Sequence, residues 1–228
     1  MRSVRVLWLA LWPAACGGLP PILPVPAEPA AEAMQRCTAV YPTPDFRVVH
    51  SIAATLPGDQ GGTFIGVTAT ADGGRSLRSM LLSLEGLALV DATWSEAAGV
   101  AVARALPPLD QEGFAQGMVD DIRLLLFPPP GVPVATGRYE EGGSVCRWRG
   151  VDDGAVDVVV EQTGGWRVRV WDAAGDLLRD VAAGSEFRDG FSTKLRLTAP
   201  GAAGYVLELE LLEVEPGPAG GALPAPEP

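Results

Sequence analysis

The sequence predicts a mainly β fold: about eleven antiparallel strands curled into an incomplete, half-closed barrel, with one main helix after the fifth strand packed on the concave side. Three observations carry that reading. Segments of strand composition recur roughly every ten residues, punctuated by Gly, Asp and Pro. Several alternate apolar and polar residues, which gives a sheet one dry face and one wet face. One stretch, residues 110–131 (DQEGFAQGMVDDIRLLLFPPPG), changes to a helical period, and the strands on either side supply a surface for it.

Before the helix, strands are expected over 46–56 (FRVVHSIAATL), 63–71 (TFIGVTATA), 77–84, 87–94 and 100–106. Pro57-Gly58, Asp72-Gly73-Gly74 and Glu85-Gly86 are the turns of a meander. In the helix, Phe114, Met118, Ile122 and Leu125 recur at spacings of four, four and three and share a face. Asp120 and Arg123 fall opposite, with Asp121 at the margin of the stripe. Asp110 is the expected N-cap, and Pro128-Pro129-Pro130-Gly131 ends the helix. Gly113 and Gly117 each weaken it by roughly 1 kcal/mol against Ala, so tertiary packing must hold it.

Beyond the helix come short strands at 145–149 and 155–161, then 166–171, with Trp166, Val168 and Val170 opposite Arg167 and Arg169. Strands at 177–182, 191–197 and 205–214 complete the sheet. In the last, Tyr205, Leu207, Leu209 and Leu211 face inward and Glu208 and Glu210 outward. The domain is expected to span 44–214, and the Pro/Gly/Ala-rich residues 215–228 to be disordered. No internal repeat is present, which argues against a propeller.

Composition narrows the chemistry. At 47% hydrophobic, the chain can fill one substantial core. Its 17 basic residues are dispersed against 28 acidic ones, a net charge of −11, which excludes a nucleic-acid platform. His50 is the one histidine; it sits mid-strand, no GxSxG elbow exists, and it reads as a structural or surface residue, not a general base. Asp152-Asp153-Gly154 and Asp120-Asp121 lack the spacing of a calcium loop and read as a turn and a solvated helix face. Arg147-Trp148-Arg149 and the run 166–171 interleave Trp with Arg, read here as cation–π decoration. No metal site, no cofactor and no catalytic set is expected.

The first 16 residues have the form of an export signal: Arg2 and Arg5, then an apolar run over 6–12 too short to span a bilayer. Pro13-Ala14-Ala15-Cys16 resembles the lipobox of bacterial lipoproteins, with Pro13 where that pattern has leucine. That resemblance implies lipidation of Cys16 with palmitate-type acyl chains; ordinary cleavage after Gly17 is the alternative. Three cysteines in an exported chain leave one odd. With Cys16 lipidated, Cys37 and Cys146 are free to form a structural bridge, closing a loop of about 100 residues worth on the order of 4–5 kcal/mol. Residues 17–43 (GGLPPILPVPAEPA, then a short helix over 31–39 carrying Cys37) are expected to form a Pro-rich tether and a pin for the domain.

The segment 80–130 resembles an uncharacterised bacterial lipoprotein family grouped with the LolA/LolB-like carriers and receptors of outer-membrane lipoproteins. The resemblance rests on MLLSLEGLALVDATW, on Ala105-Leu106-Pro107-Pro108-Leu109-Asp110 and on the helix ending DDIRLLLFPPP. Leu195-Arg196-Leu197 through Gly204-Tyr205-Val206-Leu207-Glu208-Leu209 is similar too, so residues 46–213 are covered. It implies an exported, monomeric lipoprotein that holds acyl chains, lipid or a lipidated protein in a hydrophobic cavity. Candidate lining residues are Phe114, Met118, Ile122, Leu125, Trp166, Val168, Leu207 and Leu209. By the sorting rule of such proteins, Gly17 after the cysteine implies the periplasmic face of the outer membrane; a secreted or soluble periplasmic chain is the alternative. A non-catalytic assembly lipoprotein, using a filled sheet as a protein-docking surface, is the competing function.

Overall fold

The computed structural model describes residues 18–25, 30–43, 45–58 and 60–217; the expected export signal, Cys16 and residues 218–228 lie outside them. Helix α1 (Ala30–Thr38) precedes β1 (Phe46–Leu56), β2 (Gln60–Ala71), β3 (Ser76–Leu82), β4 (Ala88–Ser95) and β5 (Gly99–Ala105). Helix α2 (Phe114–Leu126) follows, then β6 (Ala135–Arg138), β7 (Ser144–Arg149), β8 (Ala155–Val160), β9 (Trp166–Trp171) and β10 (Leu177–Ala183). The small hairpin β11 (Phe187–Arg188) and β12 (Phe191–Ser192) stands apart, and β13 (Lys194–Ala199) and β14 (Tyr205–Pro216) return to the sheet.

The main sheet has 12 strands in the order β5-β4-β3-β2-β1-β14-β13-β10-β9-β8-β7-β6, every neighbour antiparallel. It does not close: β5 and β6 are its two free edges. These edges are consecutive in the chain and joined by α2. A connection between opposite edges of one curved sheet must cross a face, and the apolar stripe of α2 selects the inner one. The incomplete barrel with a helix on its concave side is the predicted architecture.

Cross-strand register sorts the residues cleanly. Cys146, Val158, Val168, Val181, Leu197 and Leu207 pair in one inner row. One residue along, Arg147, Asp157, Arg169 and Asp180 pair in an outer row of alternating charge. The arginines of β7 and β9 therefore face out and Trp148 and Trp166 face in, where each is almost fully buried. The expected cation–π decoration is present once in this row, Arg169 over the Tyr139 ring at 5.6 Å and not over a tryptophan, and ion pairing occupies the rest. Arg147 holds Asp157 through two bonds of 2.6 and 2.7 Å, joined by Trp171 Nε1 at 2.8 Å and the Tyr139 hydroxyl. Four donor contacts offset the cost of a carboxylate with no exposure.

Several local expectations change. Residues 135–138 form a strand that carries no alternation of its own; β7 supplies it with a partner. The expected strand 191–197 breaks at Thr193, where the β11–β12 hairpin turns back into β13. Helix α2 starts at Phe114, capped by Gly113 in the left-handed region (φ 82°), without a side-chain cap, so Asp110 is not the N-cap. Residues 18–25 are not a free tether. Leu23 exchanges backbone hydrogen bonds with Arg138 (2.8 and 2.9 Å), and Arg147 donates to the Pro20 carbonyl at 3.0 Å. Gly137 and Gly175 permit this: a Cβ on either would stand 2.2 Å from the Leu23 carbonyl oxygen or 2.7 Å from the Gly18 backbone.

Candidate functional site

The inner face of the sheet is apolar and concave, and two helices cover it. Over β6, β7 and β8 lies α1, fixed by the Cys37–Cys146 disulfide (S–S 2.06 Å, 109 residues apart). The predicted pairing is present, so the bridge ties the helix to an interior strand of the sheet. Beneath and beside it packs the larger cluster, with Tyr41, Trp148, Val158, Trp166, Val168, Val181, Leu197 and Leu209. Tyr41 and Trp166 are in ring contact at 5.6 Å.

Over β4 and β5 lies α2, seated on a smaller cluster: Leu77 and Ala92 below, Ala115 and Val119 above. Its most buried residues include Ala115, Val119, Leu125 and Leu126. The buried stripe is rotated from the expected one, because small Ala and Val side chains let the helix approach the sheet more closely than Phe114 or Met118 would. Positions 115, 119, 122 and 126 also recur at helical spacing, so this stripe was readable in the sequence as a second choice.

A polar latch completes the seat. Asp121, expected on a solvated helix face, is 5% exposed. It accepts hydrogen bonds from Arg179 Nε on β10 at 2.9 Å and from the Tyr205 hydroxyl on β14. The guanidinium of Arg179 stands 5.5 Å over the Tyr205 ring. Burial raises the Asp121 carboxyl above its ordinary value, and the bonds from Tyr205 and Arg179 only partly offset this. On the other side of the helix, Arg123 lies 4.3 Å over the Trp94 ring. None of these long-range pairings is visible as a motif: 58 and 84 residues separate Asp121 from its partners.

Between the two clusters, His50 faces inward on β1, opposite Leu211 of β14 and Gly66 of β2. It is buried, and its Nε2 has no hydrogen-bond partner among the described residues; the same holds for the Tyr41 hydroxyl and Trp166 Nε1. Burial lowers the imidazole to about 4, so it is neutral at pH 7. Among the described residues, no group of three His, Cys, Asp or Glu could hold a metal ion.

Seven of the eight candidate cavity residues lie in or against the inner clusters, and they differ in burial. Leu125, Trp166, Val168 and Leu209 lie in the large cluster, and Leu207 is half-buried against it. Ile122 touches both clusters and Met118 the smaller; Phe114, half-buried at the start of α2, belongs to neither. On the outer face lies an open groove of about 600 Å³ lined by Ser51, Ala53, Leu195, Arg196 and Glu208 among others.

The fold of this chain is similar to that of solved structures. A LolA superfamily protein from Nitrosomonas europaea superposes with TM-score 0.54 at 11% identity, covering 87% of this chain and 96% of that one. The fold is LolA-like. An outer membrane lipoprotein-sorting protein domain from Vibrio parahaemolyticus matches with TM-score 0.44 at 13% identity, covering 82% of this chain and 93% of that one. A DUF1329 family protein from Desulfovibrio piger matches with TM-score 0.40 at 11% identity over 82% and 91%. No family model and no curated protein matches the sequence. In this chain the helix that crosses the inner face is α2, seated on β4 and β5. No helix among the described residues is long and apolar enough to cross a membrane.

Proposed function

We propose that this chain is an exported, lipid-anchored carrier or receptor that takes an acyl chain, free or on a lipidated protein, between α2 and the inner face of the sheet. The observation that carries the reading is the seat of α2. It is an apolar surface in an unclosed sheet, covered by a helix that is held by small apolar contacts and one polar latch. Each CH₂ moved from water into that surface contributes about 0.8 kcal/mol, enough for a long acyl chain to compete with the helix's own contacts. Met118, Ile122, Leu207 and Leu209 would contact the chain once α2 lifts, with Phe114 at the start of the helix. Anchoring through Cys16 at the periplasmic face of the outer membrane would keep the protein where such cargo is delivered. The sequence carries no recognisable catalytic set, so the work proposed is binding.

Native mass spectrometry of the chain from Gly17 onward, followed by organic extraction, tests this. The expected result is a co-purifying acyl species, or uptake of added palmitate or lipopeptide, that is lost in Phe114→Asp. A mass corresponding to protein alone, with no uptake of either probe, would overturn the reading and favour a filled docking scaffold.

A further inference from the structure

The two ends of the curved sheet differ in what they expose. One end carries the turns β1–β2, β3–β4, β7–β8, β9–β10 and β13–β14 and the start of β6; the other carries the remaining turns. Antiparallel pairing around the sheet makes this assignment unambiguous. Large apolar side chains exposed among the described residues concentrate at the first end. Val151 (86% exposed), Val132 (73%), Val134 (62%) and Leu178 lie together around the start of β6 and the turns of β7–β8 and β9–β10. Leu56, Leu84 and Leu87 continue the same rim farther along the arc; among the described residues the opposite end shows Leu23, Phe187 and Leu212, and Val102 lies mid-strand on β5. Scattered exposed valines need no explanation, but a bias to one rim does.

The chain's N-terminal segment leaves from that same rim. Gly18 packs against Gly175 of the β9–β10 turn, and Leu19 shares a depression with Val134, Trp148 and Gly154. Hydrogen bonds to Arg138 and Arg147 then fix the segment on the outside of the sheet. Two peptide links separate Gly18 from Cys16, a reach of at most about 7 Å. We infer that this rim, centred on Val132, Val134 and Val151, is a bilayer-contact surface that rests on the lipid headgroups and the outermost acyl carbons. The partner is a zwitterionic surface. Asp152, Asp153, Asp172 and Asp176 stand beside the valines with Arg149 as their nearest exposed cation by sequence, so attraction to anionic lipid is not available. The orientation puts the Asp121 latch, bonded to the first residues of β14 and β10, at the membrane side of the fold. The inference rests on the anchoring reading only through the short reach from Cys16.

The test uses the full chain, recovered from host membranes and reconstituted in phosphatidylethanolamine/phosphatidylcholine vesicles, with the mass of its N-terminal peptide read in parallel. Hydrogen exchange is expected to slow by about tenfold in residues 131–134, 150–154 and 176–178 relative to the detergent-free soluble chain, with no change in 72–75 and 161–165 at the other end. Equal exchange at both ends in a vesicle-bound, lipidated chain would overturn the inference. If the mass shows Cys16 unmodified, the anchoring reading fails on its own, and flotation decides the rim. Salt-independent flotation with the same vesicles, lost in Val132→Asp/Val151→Asp, supports it; no flotation of the unmodified chain overturns it.

Discussion

Helix α1 is bonded covalently to β7 through Cys37–Cys146, whereas α2 is held by Leu77, Ala92 and Val119, by the Asp121 latch, and by Arg123 over Trp94. Both cover the same inner face. Each one's partners in the chain explain the difference. Nine residues of α1 bury little on their own, and a disulfide that spans 109 residues fixes them chiefly by restricting the unfolded chain. Thirteen residues of α2 bridge two free edges, and noncovalent contacts suffice. One cover is therefore covalent and the other noncovalent, which is the asymmetry that the proposed binding cycle would use.

The largest effect should come from removing the permanent clamp. Cys37→Ser with Cys146→Ser is expected to lower the unfolding free energy by on the order of 4 kcal/mol, read as a shift in the urea midpoint, while reductant leaves the double variant unchanged. An equal midpoint for both proteins would abolish the distinction between the covers. Next is Asp157→Ala beneath the clamp on the outer face, which leaves Arg147 buried without its carboxylate and should cost about 3 kcal/mol. Asp157→Leu with Arg147→Met should recover most of that loss, since a buried pair is stabilising mainly relative to half of itself.

His50 lies between the two covers and tests the interior they share. Its folded-state value is depressed from 6.5 to about 4, so the unfolded chain binds the proton first. Stability is then complete above pH 6.5 and falls as pH drops towards 4, by roughly 3 kcal/mol in full. His50→Gln should flatten that limb of the urea-midpoint profile; an unchanged profile would show that the imidazole is hydrated in solution.

The smallest effects belong to the latch. Tyr205→Phe should cost about 1 kcal/mol and speed exchange of the α2 amides without altering those of α1. Asp121 has the opposite pH sense to His50. Its folded-state value is raised by burial, so the folded chain binds its proton first and this contribution to stability declines as pH rises through the acidic range. Relative to Asp121→Asn, the parent chain should therefore gain stability as pH falls towards the ordinary carboxylate value. A gain of the same size in both proteins would show that Asp121 is not the titrating group.

Period and punctuation determined much of this protein. The alternation in 166–171 and 205–214 assigned inner and outer faces that the structure repeats residue for residue until the bulge at Leu212. Cysteine parity pointed to Cys37–Cys146, and the 3.6-residue period located α2 to within its first turn. These features are local, and local sterics and solvation impose them wherever the chain lies. Tertiary structure alone decided the rest. Residues 135–138 become a strand because β7 offers an edge, and Asp121 is buried because Arg179 and Tyr205 arrive from far along the chain. Residues 18–25, extended and proline-rich, gain a fixed place only because Arg138 and Arg147 present a donor and an acceptor edge to them. A polar group's cost of burial depends on who meets it there, and that is a property of the folded sheet, not of the residue's neighbours in sequence.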